Sequence, residues 1–466
     1  MKHLRVLVAV TATFSIACSM HDVDGEPANA KAAVVDAGSA IDWRQTEDGV
    51  LADHVQLTFG DRFVKAGEAY FSPDDSKIIF QAVEVPPAGE KPAEFYTMFV
   101  ADVKRGATGG ITGIANLKRI SPEGSANTCG WFHPTDSNLV LFGSTLVEPK
   151  KENIPEWQRE ENDKYKWAMP PEMRIVQCDL RHADGTIESL NVLVGDDKAY
   201  QAEGSGSDDG RHILYCSTAT NDGDIYVFDT VTKKSTCLIS AKGYDGGPFF
   251  APDGKRICYR SDRRGDEKLQ LFVADLAFND DGTIVGIERE YQLTDDGFVN
   301  WCPFWTRDGR HLVYSTSAFG HTNYEVFMCD ADPGNLSGST GTIKYGTAQK
   351  RITNATKADV LPAFSHDGEW MMWTSQRHDN ATSQIWAARF VFDDDNAELV
   401  KLQGGKPDMP SNTFHVQDPD TGIYYIYNRD THELTAYDIR THQTRPVTDP
   451  IEIEKATYLF GEREPD

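Results

Sequence analysis

The chain has 466 residues, 39% of them apolar and 11% aromatic, enough for a substantial core of the kind found in β-rich interiors. Its 72 acidic residues outnumber 46 basic ones, for a formal net charge of −26. Phosphate binding needs clustered Lys and Arg, so this balance argues against nucleic acid as a partner and is read as a solvated surface.

Lys2 and Arg5 open the chain, and the apolar run 7–16 that follows is too short to span a bilayer as a helix. Ser15-Ile16-Ala17-Cys18 resembles a bacterial lipobox, with Ser where Leu is usual. That resemblance implies a lipoprotein-type signal peptide over 1–18, ending at an acylated Cys18. The alternative is an ordinary secretory signal with an incidental Cys. Ser19, rather than Asp, follows the Cys, which under the lipobox reading implies the periplasmic side of the outer membrane. The other destinations are soluble periplasmic or secreted. Residues 19–50, rich in Ala, Asp and Gly, read as a flexible tether.

From residue 51 one phrase recurs: YFSPDDSKIIF at 70–80, WFHPTDSNLVLF at 131–142, SGSDDGRHILY at 205–215, FFAPDGKRICY at 249–259, FWTRDGRHLVY at 304–314 and AFSHDGEWMMW at 363–373. Each is a short strand, a turn and an alternating apolar strand. In the fourth copy Pro252 presets φ, Asp253 caps the turn and Gly254 takes positive φ. LQLFVADL at 269–276 and EYQLTDD at 290–296 complete a four-stranded antiparallel meander. Turn positions Asp74, Thr135, Asp209, Asp253, Asp308 and Asp367 are 61, 74, 44, 55 and 59 residues apart, so the longer gaps hold insertions. A lone meander cannot bury its faces, and stacked strand-only units of this size close radially.

The predicted fold is therefore all-β, a β-propeller of four-stranded blades over 51–450, followed by a tail over 451–466. HVQDPDTGIYYIY at 415–427 is a degraded seventh copy, which favours seven blades over the alternative of six plus a C-terminal hairpin. QLTF at 56–59 reads as a fourth strand without its blade, able to complete the last blade and close the ring.

The PDG-type turns and third-to-fourth loops share one rim. The second-to-third and fourth-to-first loops share the other, and its loops are the unusual ones. Blade 1 has VEVPPAGEKPAEF at 83–95, and blade 2 has an insert over 146–173 containing Trp157, Tyr165 and Trp167. These inserts are read either as a roof over the channel mouth that forms a binding surface, since aromatics favour hot spots, or as loops packed on their own propeller. Arg263, Arg264, His321, Arg377 and His378 fall on the same rim, where they either bind a carboxylate or other anion or pin neighbouring loops.

Seven Cys follow Cys18, an odd number that leaves at least one unpaired, and none forms a CxxC. Cys216 and Cys258 read as small buried strand residues. No zinc motif, phosphate loop or G-x-S-x-G elbow is present, so no metal site and no cofactor are expected. His133 and His366 sit in turns, and the Asp runs at 280–281 and 393–395 lack the spacing of a Ca²⁺ loop. A site assembled from scattered residues around a channel leaves no linear signature.

The FSPDG-type turn, F-V-A-D third strand and Q-L-T fourth strand resemble the TolB-like propeller repeats of bacterial envelope proteins, over residues 55–400 and more weakly beyond. TolB carries an N-terminal α/β domain where this sequence has only the tether. The resemblance therefore implies a six-bladed or similar periplasmic propeller presenting surfaces to macromolecules, rather than TolB's own place in the Tol–Pal system. The leading expectation is an exported, lipid-anchored binding scaffold whose partners are envelope proteins or glycans. The alternatives are a carbohydrate-active enzyme of the polysaccharide lyase or glycosidase type with a channel-mouth site, and a sensor of a small anionic ligand.

Overall fold

The computed structural model describes residues 43–150, 169–196, 198–220, 222–331, 350–377 and 382–391, together with 413–417, 423–428, 431–438, 443–448, 453 and 456. Seven four-stranded antiparallel sheets account for almost all of its regular structure. Blade 1 comprises Phe63–Phe71, Lys77–Glu84, Thr97–Arg105 and Ile111–Arg119. Blade 2 comprises Asn127–His133, Asp136–Ser144, Arg174–Asp179 and Leu190–Val194. Blade 3 comprises Gln201–Gly206, His212–Ser217, Asp224–Asp229 and Lys234–Ile239. Blade 4 comprises Asp245–Phe250, Arg256–Ser261, Gln270–Phe278 and Ile284–Gln292. Blade 5 comprises Asn300–Trp305, His311–Thr316, Glu325–Asp330 and Lys350–Arg351. Blade 6 takes Asp359–Phe364, Trp370–Ser375 and Gln384–Phe390, and its fourth strand is Leu51–Gln56 from the start of the chain. The seventh sheet is Thr413–Gln417, Tyr424–Asn428, Leu434–Asp438 and Gln443–Pro446.

The seven expected four-stranded units are all present, and the packing decides how they are arranged. Each blade shares an apolar core with the next. Ile79 and Met98 meet Phe142 and Val176, Ile175 meets Ile213 and Tyr215, and Leu214 and Ile225 meet Ile257 and Phe272. Leu271 and Val273 meet Leu312 and Tyr314, and Val313 and Met328 meet Met371 and Trp373. The sixth core joins the last blade to the first, with Trp370, Met372 and Ile385 against Phe63, Ile78 and Phe80. Six blades thus close the circle. The seventh sheet stands beside it, with its own small core of Tyr425, Ala436 and Val447 and with Tyr424 set into the core between blades 4 and 5. Middle strands packed on both faces are buried along their length, as in His212–Ser217 and Trp370–Ser375.

The turn chemistry is repeated from blade to blade. The Oδ1 of Asp74, Asp209, Asp253, Asp308 and Asp367 accepts the backbone N–H two residues on. In four of these blades a hydroxyl two residues back, on Ser72, Ser207, Thr306 or Ser365, donates to the same oxygen. In blade 2 the cap is Asp136, one residue past the expected Thr135, accepting from Asn138 N at 2.9 Å.

Residues 43–50, expected to belong to the tether, pack on blade 6 instead. A short helix, Trp43–Thr46, precedes Glu47, whose side chain is fully buried between Arg377 and His54. A buried carboxylate needs such partners, and they hold this segment to the ring.

Candidate docking rim and central channel

The innermost strand of each blade carries a β-bulge, and at each bulge one residue takes the left-handed conformation: Glu68, Cys129, Glu203, Gly247, Cys302 and Leu361, with φ of 49°, 53°, 60°, 59°, 52° and 58°. The first strand of the seventh sheet pairs without a register shift, which sets it apart from the six blades of the ring.

Two residues further along, nearer the turn rim, four rings from four blades meet on the axis. Tyr70 lies 5.1 Å from Trp131 and 6.1 Å from Phe304, and Phe249 lies 5.5 Å from Trp131 and 5.1 Å from Phe304, centroid to centroid. Blades 1, 2, 4 and 5 can share such contacts only at the centre, so these rings plug the channel. On the far side of the plug the turns surround a depression of about 680 Å³ lined by Asp74, Asp75, Pro134, Asp208, Arg307, His366 and Asp367. Asp75 also crosses the closure between blades 1 and 6, accepting His366 N at 2.8 Å and Asp367 N at 3.0 Å.

On the loop-rim side of the plug the bulge layer is polar. Glu203 accepts from Tyr244 Oη at 2.7 Å, from Gly247 N at 2.6 Å and from Arg260 Nη2 at 3.2 Å, and Arg260 Nη2 also bonds Tyr244 Oη at 2.8 Å. At Gly247 a Cβ would sit 2.2 Å from Arg260 Nη1, so a side chain here would displace the guanidinium. Burial pushes the Glu68 carboxyl up to about 6, against the hydrogen bond from Cys129 and the Arg260 charge, with Glu203 adding to the rise. Burial likewise raises the Cys129 thiol and the Tyr70 and Tyr244 phenols well above their ordinary values. Around this layer Tyr200, Tyr244, Trp301 and Tyr324 belong to one apolar cluster. Blade 1's long loop adds Phe95 to it, and the returning end of the blade 2 insert adds Met169 and Met173.

Of the rim residues expected from the sequence, Arg263 and Arg377 occupy equivalent places. Each follows a strand-ending serine, Ser261 or Ser375, whose Oγ accepts the arginine's backbone N–H and Nε–H. Each then reaches the aspartate that opens the same blade: Arg263 to Asp245 at 3.3 Å and Arg377 to Asp359 at 2.8 Å. Arg263 adds Glu290 at 2.6 Å, and Arg377 adds Glu47 at 3.0 Å. The Arg377 side chain is 0% exposed and is ringed by Trp43, Trp373 and Trp386, so it reaches no partner outside the fold. His321 bonds Tyr324 Oη through Nδ1 at 3.1 Å. Cys18, Trp157, Tyr165, Trp167 and His378 lie outside the described residues. The seven described cysteines are free thiols, with Cys216 and Cys258 buried in middle strands. No group of three His, Cys, Asp or Glu side chains suited to a metal occurs among the described residues.

Sequence reasoning missed the channel layer, because Glu68, Cys129, Glu203, Gly247, Cys302 and Leu361 share no chemistry. They do share a register: each stands six positions before its blade's turn residue, at 74, 135, 209, 253, 308 and 367. Counting back from the turns was the available signal.

No protein-family model matches the chain. The Tol-Pal system protein TolB of Wolinella succinogenes is 24% identical over 287 residues, 59% of each chain. That of Francisella tularensis subsp. mediasiatica is 23% identical over 247 residues, 48% of this chain and 52% of the relative. The chain thus matches between half and three fifths of the length of these curated relatives. The crystal structure of TolB from Acinetobacter baumannii aligns with a TM-score of 0.40 at 17% identity, over 80% of this chain and 65% of that one. With six blades closing the ring and these sequence relatives, the chain is a TolB-like β-propeller protein.

Proposed function

We propose that this protein is an exported component of the bacterial cell envelope that docks other envelope proteins on the loop rim of its propeller and has no chemistry of its own. The observation that carries this reading is where the two elaborated loops are rooted. Phe95 from blade 1 and Met169 and Met173 from blade 2 plant apolar feet in one cluster at the channel mouth. The described ends of both loops are thus rooted in a rigid ring at the channel mouth, which favours protein docking there. The relatives named for the Tol-Pal system support an envelope setting. In this reading residues 1–18 are the signal peptide, Cys18 carries the lipid, the segment up to residue 42 is the tether, and Trp157, Tyr165 and Trp167 are the anchors on the insert.

The test is affinity capture from crosslinked envelopes, using the full chain and a variant lacking 146–173 in parallel. Loss of a specific partner with the deletion is the expected result, and unchanged recovery removes the insert from the docking surface. For the anchor, Cys18→Ser is expected to move the protein from the membrane to the soluble periplasmic fraction, and an unchanged distribution refutes acylation.

A further inference from the structure

The bulge layer of the channel has a charge that the docking reading does not use. Glu68 and Arg260 are 7% and 8% exposed, and the Glu203 side chain is 9% exposed. The one cation is spent on Glu203 and on the Tyr244 hydroxyl. No basic side chain bonds Glu68 among the described residues. It is faced by Tyr70 on its own strand, the Cys129 thiol of blade 2, Glu203 of blade 3 and, as a longer-range charge, Arg260 of blade 4. Blade 5 brings Cys302 beside Tyr70, and blade 6 brings the Thr374 hydroxyl, which accepts the Glu68 backbone N–H at 3.1 Å. Two carboxylates against one guanidinium leave the layer one positive charge short at neutral pH, and an uncompensated buried charge is costly.

A second observation is independent of that balance. The Arg260 Nε–H, on a side chain nine-tenths buried, has no acceptor among the described residues. A simple inorganic cation would repair the charge and leave this donor orphaned. A molecule that repairs both carries a positive group and an oxygen acceptor. Below the layer, the rings of Tyr70, Trp131, Phe249 and Phe304 floor the channel with aromatic rather than charged groups.

We propose that the propeller channel binds a small protonated primary amine with a hydroxyl on the adjacent carbon, the chemistry of an amino alcohol or a 2-amino sugar, with its ammonium on Glu68 and its oxygen accepting from Arg260 Nε. The site lies within the layer that the loop-rooting cluster surrounds, and its test reads small-molecule binding rather than partner capture, so failure of either proposal is distinguishable from failure of the other.

The test titrates the full chain at pH 7.5 with ethanolamine and with glucosamine, followed by calorimetry and by tryptophan emission, since Trp131 lies on the channel floor and Trp301 in its wall. N-acetylglucosamine, which lacks the ammonium, and potassium chloride are the controls. At least one amine is expected to bind saturably, with N-acetylglucosamine at least about tenfold weaker. Glu68→Gln, which keeps the shape of the side chain, is expected to weaken binding at least about tenfold while the thermal midpoint at pH 7.5 does not fall. Affinity is also expected to decline as pH drops through about 6, where Glu68 takes up a proton. Equal binding of N-acetylglucosamine, the same response to potassium alone, undiminished binding by Glu68→Gln, or no saturable response to either amine up to about 20 mM overturns the proposal.

Discussion

Replacing Arg377 by Met should detach the start of the chain from the ring. The guanidinium bonds Glu47 at 3.0 and 3.1 Å and Asp359 at 2.8 Å, and all three side chains are 0% exposed. It also lies 4.2 Å from the Trp43 ring and 4.8 Å from the Trp373 ring. Met fills comparable volume but leaves two buried carboxylates facing each other without a cation. Breaking a buried ion pair by removing one partner costs about 3–5 kcal/mol, against about 0–1 kcal/mol for an exposed pair. Equilibrium urea unfolding followed by tryptophan emission reads this directly, because Trp43, Trp373 and Trp386 all surround the replaced group. The expected result is a loss of about 3–5 kcal/mol with a change in native emission. A loss below about 1 kcal/mol with unchanged emission would refute the assignment of Arg377 as an internal clamp.

Gly247→Ala should cost about 1–3 kcal/mol in thermal unfolding, because it forces an L side chain to positive φ and drives a Cβ into Arg260. Gly254→Ala, at a similar φ of 65° but with nothing within 4 Å of the added atom, should cost only about 1 kcal/mol. The Glu68 carboxyl is raised from 4.5 to about 6, so its contribution to stability is complete below about pH 4.5 and is lost as pH rises through about 6. Glu68→Gln should therefore be up to about 2 kcal/mol more stable than the parent at pH 8 and equal to it at pH 4; a parallel pair of stability–pH curves would contradict this. Asp75→Ala strips the acceptor from His366 N and Asp367 N across the ring closure and should lower stability by about 1–3 kcal/mol, with Asp75→Asn, which tolerates the residue's φ of 54°, costing less.

The ring was legible wherever local chemistry repeats. Asp253 and Gly254 announce a turn because few residue pairs satisfy that backbone, and the same logic located Asp74, Asp209, Asp308 and Asp367. Blade 2 misled by one residue because Thr135 brings no carboxylate to the capping position, and Asp136 takes over. The closing strand was anticipated from QLTF, since an unpaired strand edge needs a partner, although pairing begins at Leu51. The setting of Glu47 was not legible: its partner Arg377 is 330 positions away, and no local pattern encodes that meeting. The choice between six and seven blades in the ring was equally non-local. It depends on whether Trp370 packs on Phe63 or on the seventh sheet, and only the shared core of the first and sixth blades answers it.

Hydrogen–deuterium exchange of the full chain, alone and with a partner recovered from crosslinked envelopes, tests the docking account most directly. Protection is expected in the second-to-third loops at 85–96, 146–173, 262–269 and 317–324, with the turns around Asp74, Asp209 and Asp367 unchanged. Protection confined to those turns or to the outer strands, with the loop rim exchanging as in the free protein, would contradict it.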